Sequence, residues 1–236
     1  MQAVIIERKN SFVQGMKDCV PTLFGYLSIG FSFGIVGAVS GLSMLEIGLI
    51  SLLIYAGSAQ FILCALLLTN TPPAAIIFTI FVVNLRHLLM SLTVAPHFTR
   101  YSLLRNIGFG TLLTDETFGV AVTEAIKNKK LYGRWMDGLN VTAYLSWFFA
   151  CIAGAYLGRW IPNAEQWGLD FALVAMFVAL LVLQLSNVEN TKLIHYLKLI
   201  VIMLITMYIL LQFVSVHMAV LIATVIVATI GVLTEK

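Results

Sequence analysis

The hydrophobic positions of this chain form long runs almost free of charge, and short polar islands separate one run from the next. A helix needs about 20 predominantly apolar residues to cross roughly 30 Å of hydrocarbon. Measured with that length, the pattern predicts membrane segments over 21–41, 45–68, 72–96, 139–158, 169–186, 199–214 and 218–233. The last two come from a single uncharged run, which we divide near Ser215 and His217 because it is too long for one crossing.

Polar residues interrupt two of the apolar stretches. The run YAGSAQF at 55–61 places Gly57, Ser58 and Gln60 among apolar neighbours, which predicts a break where unwound backbone lines a cavity. A further segment, 107–126, is apolar at both ends but carries TDET in its middle. Paired broken helices are typical of transporters built from inverted repeats, although the sequence contains no clear internal repeat.

Composition places the chain in the membrane class. Hydrophobic residues make up 60% of it and charged residues 11%, against about a quarter charged in a soluble domain. We therefore predict an all-α polytopic bundle of about seven or eight hydrophobic segments, some of them broken or re-entrant.

A formal charge of +3, concentrated in the islands, favours lipid head groups over nucleic acid. Cys19, Cys64 and Cys151 have no Cys-x-x-Cys spacing, so no metal, cofactor or disulfide framework is expected.

The cations predict the orientation of the chain. Arg8, Lys9 and Lys17 precede the first segment, and the densest basic island lies within 127–134. Both groups are expected on the cytoplasmic side. Residues 1–20 are interpreted as a cytoplasmic interfacial segment without a cleavable signal, and 21–236 as a single transmembrane domain.

Two topologies are compatible with this pattern. If every segment crosses, the chain has eight spans, and Arg100 and Arg105 lie outside against the charge rule. If 45–68 and 107–126 are instead re-entrant hairpins from opposite sides, both arginines move to the cytoplasm and only Arg159 stays outside. The charge rule favours the hairpins.

The third segment carries Asn84, Arg86 and His87 close to the middle of the hydrocarbon. A lone arginine there costs about 2.5 to 3.5 kcal/mol on insertion scales. At 100° per residue, Asn84 and His87 share a face with Ser91 while Arg86 lies nearly opposite, which predicts a helix enclosed by protein on both sides. The functional interpretation is a substrate or proton path, and the structural alternative is an arginine that binds neighbouring backbone carbonyls.

Asp115 and Glu116 are the natural counter-charges for Arg86 or His87. Adjacent residues differ by 100° around a helix, so one carboxylate can pair while the other faces a cavity. The alternative is a helix N-terminus capped by Thr114 and Asp115 beside a cytoplasmic loop.

Other small and aromatic residues have structural interpretations. The glycine pairs 30/34, 37/41 and 154/158 have the spacing of close helix packing. GFSFG at 30–34 also matches the nucleophile-elbow pattern, with Ser32 as nucleophile and His87 as base, but that pattern has meaning only on a strand–turn–helix. We expect the tryptophans to act as interfacial anchors: Trp135, Trp147, Trp160 and Trp167.

The runs YAGSAQF, NLRHLLMSLTVAPHF at 84–98 and LLTDETFGVA at 112–121 resemble the AzlC family, the large subunits of bacterial branched-chain amino acid exporters. The likeness extends to GLNVTAYLSWFFACIAGAYLG and WGLDFALVAMFVALLV, so it covers the chain from about Pro21 to Thr191. It implies export of leucine, isoleucine and valine across the bacterial inner membrane by a multi-pass protein that is not an enzyme. It also implies a small hydrophobic partner of the AzlD family.

Under that interpretation, separate groups hold the parts of a zwitterionic substrate. Arg86, or helix N-termini near Gly57, would bind the carboxylate, and Asp115 or Glu116 would bind the ammonium. His87 or a carboxylate would couple transport to the proton gradient. The rivals are a membrane scaffold that transports nothing and an intramembrane serine hydrolase. The complete candidate site is Gly57, Ser58, Gln60, Asn84, Arg86, His87, Asp115 and Glu116.

Overall fold

The computed structural model describes residues 11–158, 160, 175, 178, 181–182, 185–186, 188, 190–214 and 216–234. Every regular element within these residues is a helix, which confirms the all-α class. Four helices are long and apolar enough to cross a membrane, and shorter apolar helices accompany them. The described α-helices are α1 (Phe12–Val39), α2 (Met44–Leu53), α3 (Gly57–Leu68), α4 (Pro73–Val94), α5 (Leu103–Thr111), α6 (Asp115–Asn128), α7 (Gly133–Gly158), α8 (Asn190–Leu210) and α9 (Val216–Thr234).

The chain forms two compact units, 1–173 and 174–236. In the second unit α8 packs against α9, where a Cβ added at Gly231 would lie 3.3 Å from Leu199 Cδ1. Because α8 ends at Leu210 and α9 begins at Val216, the predicted division of the last apolar run is confirmed. The segment predicted over 169–186 lies mostly outside the described residues. The division into 1–20 and 21–236 stays a prediction, although α1 continues without interruption through residue 20.

Helices α1 and α7 form the centre of the first unit and run in the same direction. A Cβ added at Gly15 would overlap the carbonyl oxygen of Trp135, and one at Gly34 would overlap that of Cys151. The backbones touch near both ends, so the two helices start on one side of the membrane and end on the other. We call the side where α1 begins the N-terminal side and the opposite one the far side.

The three glycine pairs of the sequence were expected to pack helices together, and most of these glycines do. Gly30, Gly34, Gly154 and Gly158 all lie against the partner helix of the α1–α7 pair. Gly41 is the exception, because it follows the end of α1 with φ +85°, and a Cβ added there would have no neighbour within 4 Å. Its role is to permit a backbone turn that other residues adopt with strain.

Helices α2 and α3 form a re-entrant hairpin from the far side, which we call hairpin 1. Helix α2 runs antiparallel to α7, from Gly48 beside Ile152 to Leu52, whose carbonyl accepts a hydrogen bond from Tyr144 at 2.9 Å. Helix α3 then returns, with the Phe61 ring 5.7 Å from that of Phe33. At about 1.5 Å per residue, α2 is about 15 Å long, half of a membrane crossing.

Helices α5 and α6 form a second re-entrant hairpin from the N-terminal side, which we call hairpin 2. At its base Arg105 pairs with Asp137 at 2.5 Å, and the Tyr101 hydroxyl accepts from the Gly133 N–H at 2.8 Å. At its tip Thr114 contacts Tyr26, in the middle of α1. The interruptions predicted in both segments are therefore confirmed, and the hairpin topology replaces the one with eight spans.

Helix α4 crosses from the far side to the N-terminal side between the two hairpins. Ile76, Met90 and Val94 are buried, whereas Ile77 and Leu89 on another face are 70% and 65% exposed. The prediction that protein encloses this helix on both sides is thus wrong within the described chain. Long polar side chains can bend from the flank of a helix toward its buried face, so a polar residue does not require protein all around it.

Candidate functional site

Arg86 joins the tips of the two hairpins. It lies eight residues before the end of α4, about 12 Å along the helix axis, and therefore near half depth. Its Nη1 is 2.6 Å from Asp115 Oδ2, and its Nη2 donates to Ser58 Oγ at 2.6 Å. Ser58 lies in the first turn of α3, and Asp115 is the first residue of α6. One guanidinium thus binds the N-terminal ends of α3 and α6, the second helix of each hairpin, which we call the inner helices.

The ion pair is half-buried, because the Arg86 and Asp115 side chains remain 30% and 18% exposed. The guanidinium has fixed, planar donors that suit a carboxylate. Asp115 at a helix N-terminus also gains from the partial positive charge of the helix end. The pair is therefore held by two electrostatic contributions and remains partly exposed.

Neutral hydrogen bonds hold the tip of hairpin 1. The Gln60 side chain donates to the Ile54 carbonyl at 2.5 Å and accepts from Trp147 Nε1 at 3.1 Å. The Ile54 carbonyl lies at the end of α2, beyond the helical hydrogen bonds, and also accepts from the Ala56 N–H at 2.7 Å. Gly57 permits Trp147 to approach, since a Cβ there would lie 2.8 Å from the indole. Hairpin 1 is thus fixed to the middle of α7.

A capping box holds the tip of hairpin 2. The Thr114 side chain accepts from the Thr117 N–H at 3.4 Å, and the Thr117 hydroxyl accepts from the Thr114 N–H at 2.9 Å. Thr114 is also hydrogen-bonded to the buried Tyr26 hydroxyl. The structure therefore combines parts of both predictions for this segment. Helix α6 has a capped N-terminus at Thr114, but this end lies beside Tyr26 and not next to a cytoplasmic loop, and Asp115 pairs with Arg86.

Three buried polar atoms of α4 have no hydrogen-bond partner among the described residues: Asn84 Oδ1, Arg86 Nε and His87 Nε2. Buried polar atoms are nearly always paired with protein, water or a ligand. These three lie within four consecutive residues, at the level where the hairpins meet. They give this part of the chain unused capacity for hydrogen bonding.

The structure brings part of the predicted set into direct contact. Arg86 binds both Ser58 and Asp115, and Glu116 follows Asp115 beside Tyr26 and Thr114. Gln60 and Gly57 lie apart from this contact and hold Trp147. No described contact joins Asn84 to Arg86.

Two aromatic residues at this level were missed or misjudged from the sequence. Trp147 and Trp135 were predicted as interfacial anchors, but both are buried, and Trp147 packs edge-on against Tyr26 with centroids 6.0 Å apart. Trp160, in contrast, is exposed. The signal in the sequence was position, because Trp147 and Tyr26 fall in the middle of their apolar runs and not at the ends.

Membrane-length helices and two opposed re-entrant hairpins around charged residues define a polytopic helical membrane protein with an intramembrane polar site. Residues 21–161 match the family model described as AzlC protein. The chain belongs to the AzlC family.

Several curated membrane proteins are similar over most of this chain. Inner membrane protein YgaZ of Escherichia coli is 27% identical over 185 residues, which cover 76% of each chain. An uncharacterized membrane protein of Archaeoglobus fulgidus is 30% identical, covering 77% of this chain and 80% of the relative. The branched-chain amino acid transport protein AzlC of Bacillus subtilis is 27% identical, covering 74% and 68%. No solved structure matches the chain at a significant level.

Proposed function

We propose that this chain is the transporting subunit of an exporter that moves leucine, isoleucine and valine out of the bacterial cytoplasm. Membrane transport is supported by the family and by the Bacillus subtilis relative named as a transport protein. Export, coupling to the proton gradient and a small AzlD-like partner subunit are finer parts of the proposal that rest on the family resemblance. A cytoplasmic N-terminus in the inner membrane is proposed from the basic residues before the first segment and within 127–134.

The observation that carries the proposal is the position of Arg86 between Ser58 and Asp115. Inner helices of two opposed hairpins meet there at half depth, the arrangement that transporters use to bind a solute at the membrane midplane. Charge inside a membrane is costly and commonly marks a substrate or ion pathway. A scaffold that transports nothing gains no advantage from this cost.

The contacts suggest how a zwitterion is recognised. A substrate carboxylate that approaches Arg86 meets an unpartnered Nε–H and competes with Asp115 for the guanidinium. Asp115, once released from Arg86, can accept hydrogen bonds from the substrate ammonium group. Substrate binding would therefore exchange partners within the ion pair and loosen the link between the hairpins.

Neighbouring residues fill the remaining roles. His87 Nε2 and the Glu116 carboxylate are the candidate proton carriers. Gln60 uses both of its polar ends within the chain, so we assign it to positioning hairpin 1 rather than to substrate.

The hydrolase alternative has little support. Ser32 lies inside α1, and its hydroxyl donates to the Ser28 carbonyl of the same helix at 2.9 Å. A nucleophile elbow requires a strand followed by a sharp turn, and Ser32 has neither.

The test is leucine exchange in liposomes that contain the full chain, with and without an AzlD-like subunit. Vesicles loaded with unlabelled leucine should accumulate external labelled leucine. Arg86→Ala should lower the initial rate at least about tenfold, because it leaves Asp115 unpaired and removes the carboxylate donor. Arg134→Ala, which removes an exposed arginine, is the matched control and should exchange normally.

Arg86→Lys separates loss of function from loss of folding. It keeps the charge but cannot bind Ser58 and Asp115 through one rigid fork, so we expect a folded protein with intermediate exchange. Normal exchange by membrane-inserted Arg86→Ala would contradict the assigned site. Absence of exchange by the unmodified chain with its partner would contradict the function itself.

A further inference from the structure

Cations from two distant segments meet at the base of hairpin 2. Arg100 follows the end of α4, and its Nη2 donates to the Leu131 carbonyl at 2.6 Å. Its guanidinium also lies over the rings of Tyr101 and Tyr132, 5.0 and 5.4 Å from their centroids. These contacts hold an exposed guanidinium in one place beside the loop that carries Lys129 and Lys130.

The acidic residues of this region offset only part of the positive charge. Asp137 is neutralised by Arg105 at 2.5 Å, whereas Glu124 keeps its charge, because the Asn128 amide that donates to it at 2.5 Å is neutral. Arg100, Lys129 and Lys130 form no ion pair within the described part of the chain. The surface around them therefore carries positive charge that the protein itself does not neutralise.

Apolar side chains lie directly beside this charge. Helix α5 begins three residues after Arg100, and its first two residues, Leu103 and Leu104, are 75% and 82% exposed. Ile107, one turn later, is 52% exposed. An exposed apolar strip next to cations and tyrosines is typical of the level where head groups meet acyl chains.

We propose that this surface binds an anionic glycerophospholipid. Arg100, Lys129 and Lys130 contact the phosphate head group, Tyr101 and Tyr132 position the guanidinium, and Leu103 and Leu104 contact an acyl chain. We name these residues the basic corner. Its ligand is neither the transported amino acid nor a soluble anion, since a soluble anion gives no reason for the exposed leucines.

The location gives the lipid a consequence for hairpin 2. The basic corner connects the turn before α5 to the loop after α6, which are the two ends of this hairpin. A phosphate bound between them neutralises their mutual repulsion and holds the ends together. An anionic lipid should therefore stabilise the first unit more than a zwitterionic lipid does.

The experiment compares thermal unfolding of the full chain in detergent during titration with phosphatidylglycerol or phosphatidylcholine. We expect phosphatidylglycerol to raise the Tm in a saturable way and phosphatidylcholine to have little effect. Arg100→Gln and Lys130→Gln should each weaken the apparent affinity for phosphatidylglycerol about fivefold. Lys198→Gln, which removes an exposed cation from α8, is the control and should titrate like the unmodified chain.

Two further arms identify the source of the phosphate and guard against misfolding. Glycerol phosphate should fail to reproduce the shift at equal concentration, because it lacks the acyl chain. Arg100→Lys keeps the charge and should retain part of the response if Arg100→Gln does not fold. Equal shifts with both lipids, or an unchanged phosphatidylglycerol affinity in Arg100→Gln and Arg100→Lys, would overturn the proposal. Native mass spectrometry should find retained phosphatidylglycerol on the unmodified chain and less on Lys130→Gln.

Discussion

The two hairpins solve the same structural problem with different chemistry. Each enters from one side, breaks at half depth and presents the N-terminus of its inner helix toward Arg86. Hairpin 1 carries neutral groups at its tip, where Gln60 donates to the Ile54 carbonyl at the break. Hairpin 2 carries a formal charge, Asp115, at the corresponding place. In hairpin 1, both polar ends of the Gln60 side chain are already hydrogen-bonded within the chain. In hairpin 2, Asp115 pairs with Arg86, a partner that a charged solute can replace.

The largest expected effect concerns the opposed directions of the hairpins. Asn70 follows hairpin 1, and Ser102 precedes hairpin 2, so single cysteines at these positions should lie on opposite sides. With a cytoplasmic N-terminus, an impermeant thiol reagent applied outside intact cells should label Asn70→Cys fully and Ser102→Cys only after permeabilisation. The native cysteines are free and buried, so their background should be low. Labelling on opposite sides shows by itself only that α4 crosses between the two positions. The reversed pattern, with Ser102→Cys labelled from outside and Asn70→Cys protected, would favour eight spans and refute the opposed hairpins.

A smaller effect tests the neutral tip. Gln60→Leu leaves the Trp147 N–H without a partner and removes one of the two donors to the Ile54 carbonyl, and should lower the free energy of unfolding by about 2 kcal/mol. Chemical denaturation of the purified chain in detergent measures it. Gln212→Leu, at an exposed turn between α8 and α9, serves as the control and should change little. Equal stability of the two variants would mean that Gln60 does not hold hairpin 1.

The smallest effect concerns the cap of hairpin 2. Thr114→Val removes the acceptor for the Thr117 N–H and the partner of the Tyr26 hydroxyl, and should cost about 1 kcal/mol. Ser43→Ala removes the comparable cap of α2, which is exposed at the membrane surface, and should cost less. The same denaturation measurement ranks them. A larger loss for Ser43→Ala would place the weak point at the surface and not at the tip.

Several parts of this molecule could be predicted from its residues. Long uncharged runs specify membrane helices, and the small polar residues of YAGSAQF and the TDET run mark the breaks because broken helix ends need polar partners. Asp115 was identified as a counter-charge because few acids lie within the apolar segments. The charge rule favoured hairpins over crossings, because the hairpins place Arg100 and Arg105 on the cytoplasmic side.

The remaining features depend on contacts between distant residues. A periodic pattern states which face of α4 carries Arg86, but a long side chain reaches around the helix, and so the predicted two-sided enclosure was wrong. The pairing of α1 with α7 joins residues more than 100 positions apart, and no local signal encodes a partner so distant. For the same reason the sequence did not place Trp147 at the centre, since an indole in an apolar run can face lipid, a head group or another helix.

The parallel contact of α1 with α7 has a consequence for biosynthesis. Gly15 and Gly34 leave the ribosome long before the α7 backbone that covers them, so α1 must wait in the bilayer while both hairpins and α4 emerge. During that interval hairpin 1 lacks the helix that holds its tip, and hairpin 2 has Tyr26 at its tip but lacks the α7 contacts at its base. Nascent chains that end before Gly133 should therefore insert less stably, and membrane quality-control proteases should degrade them readily.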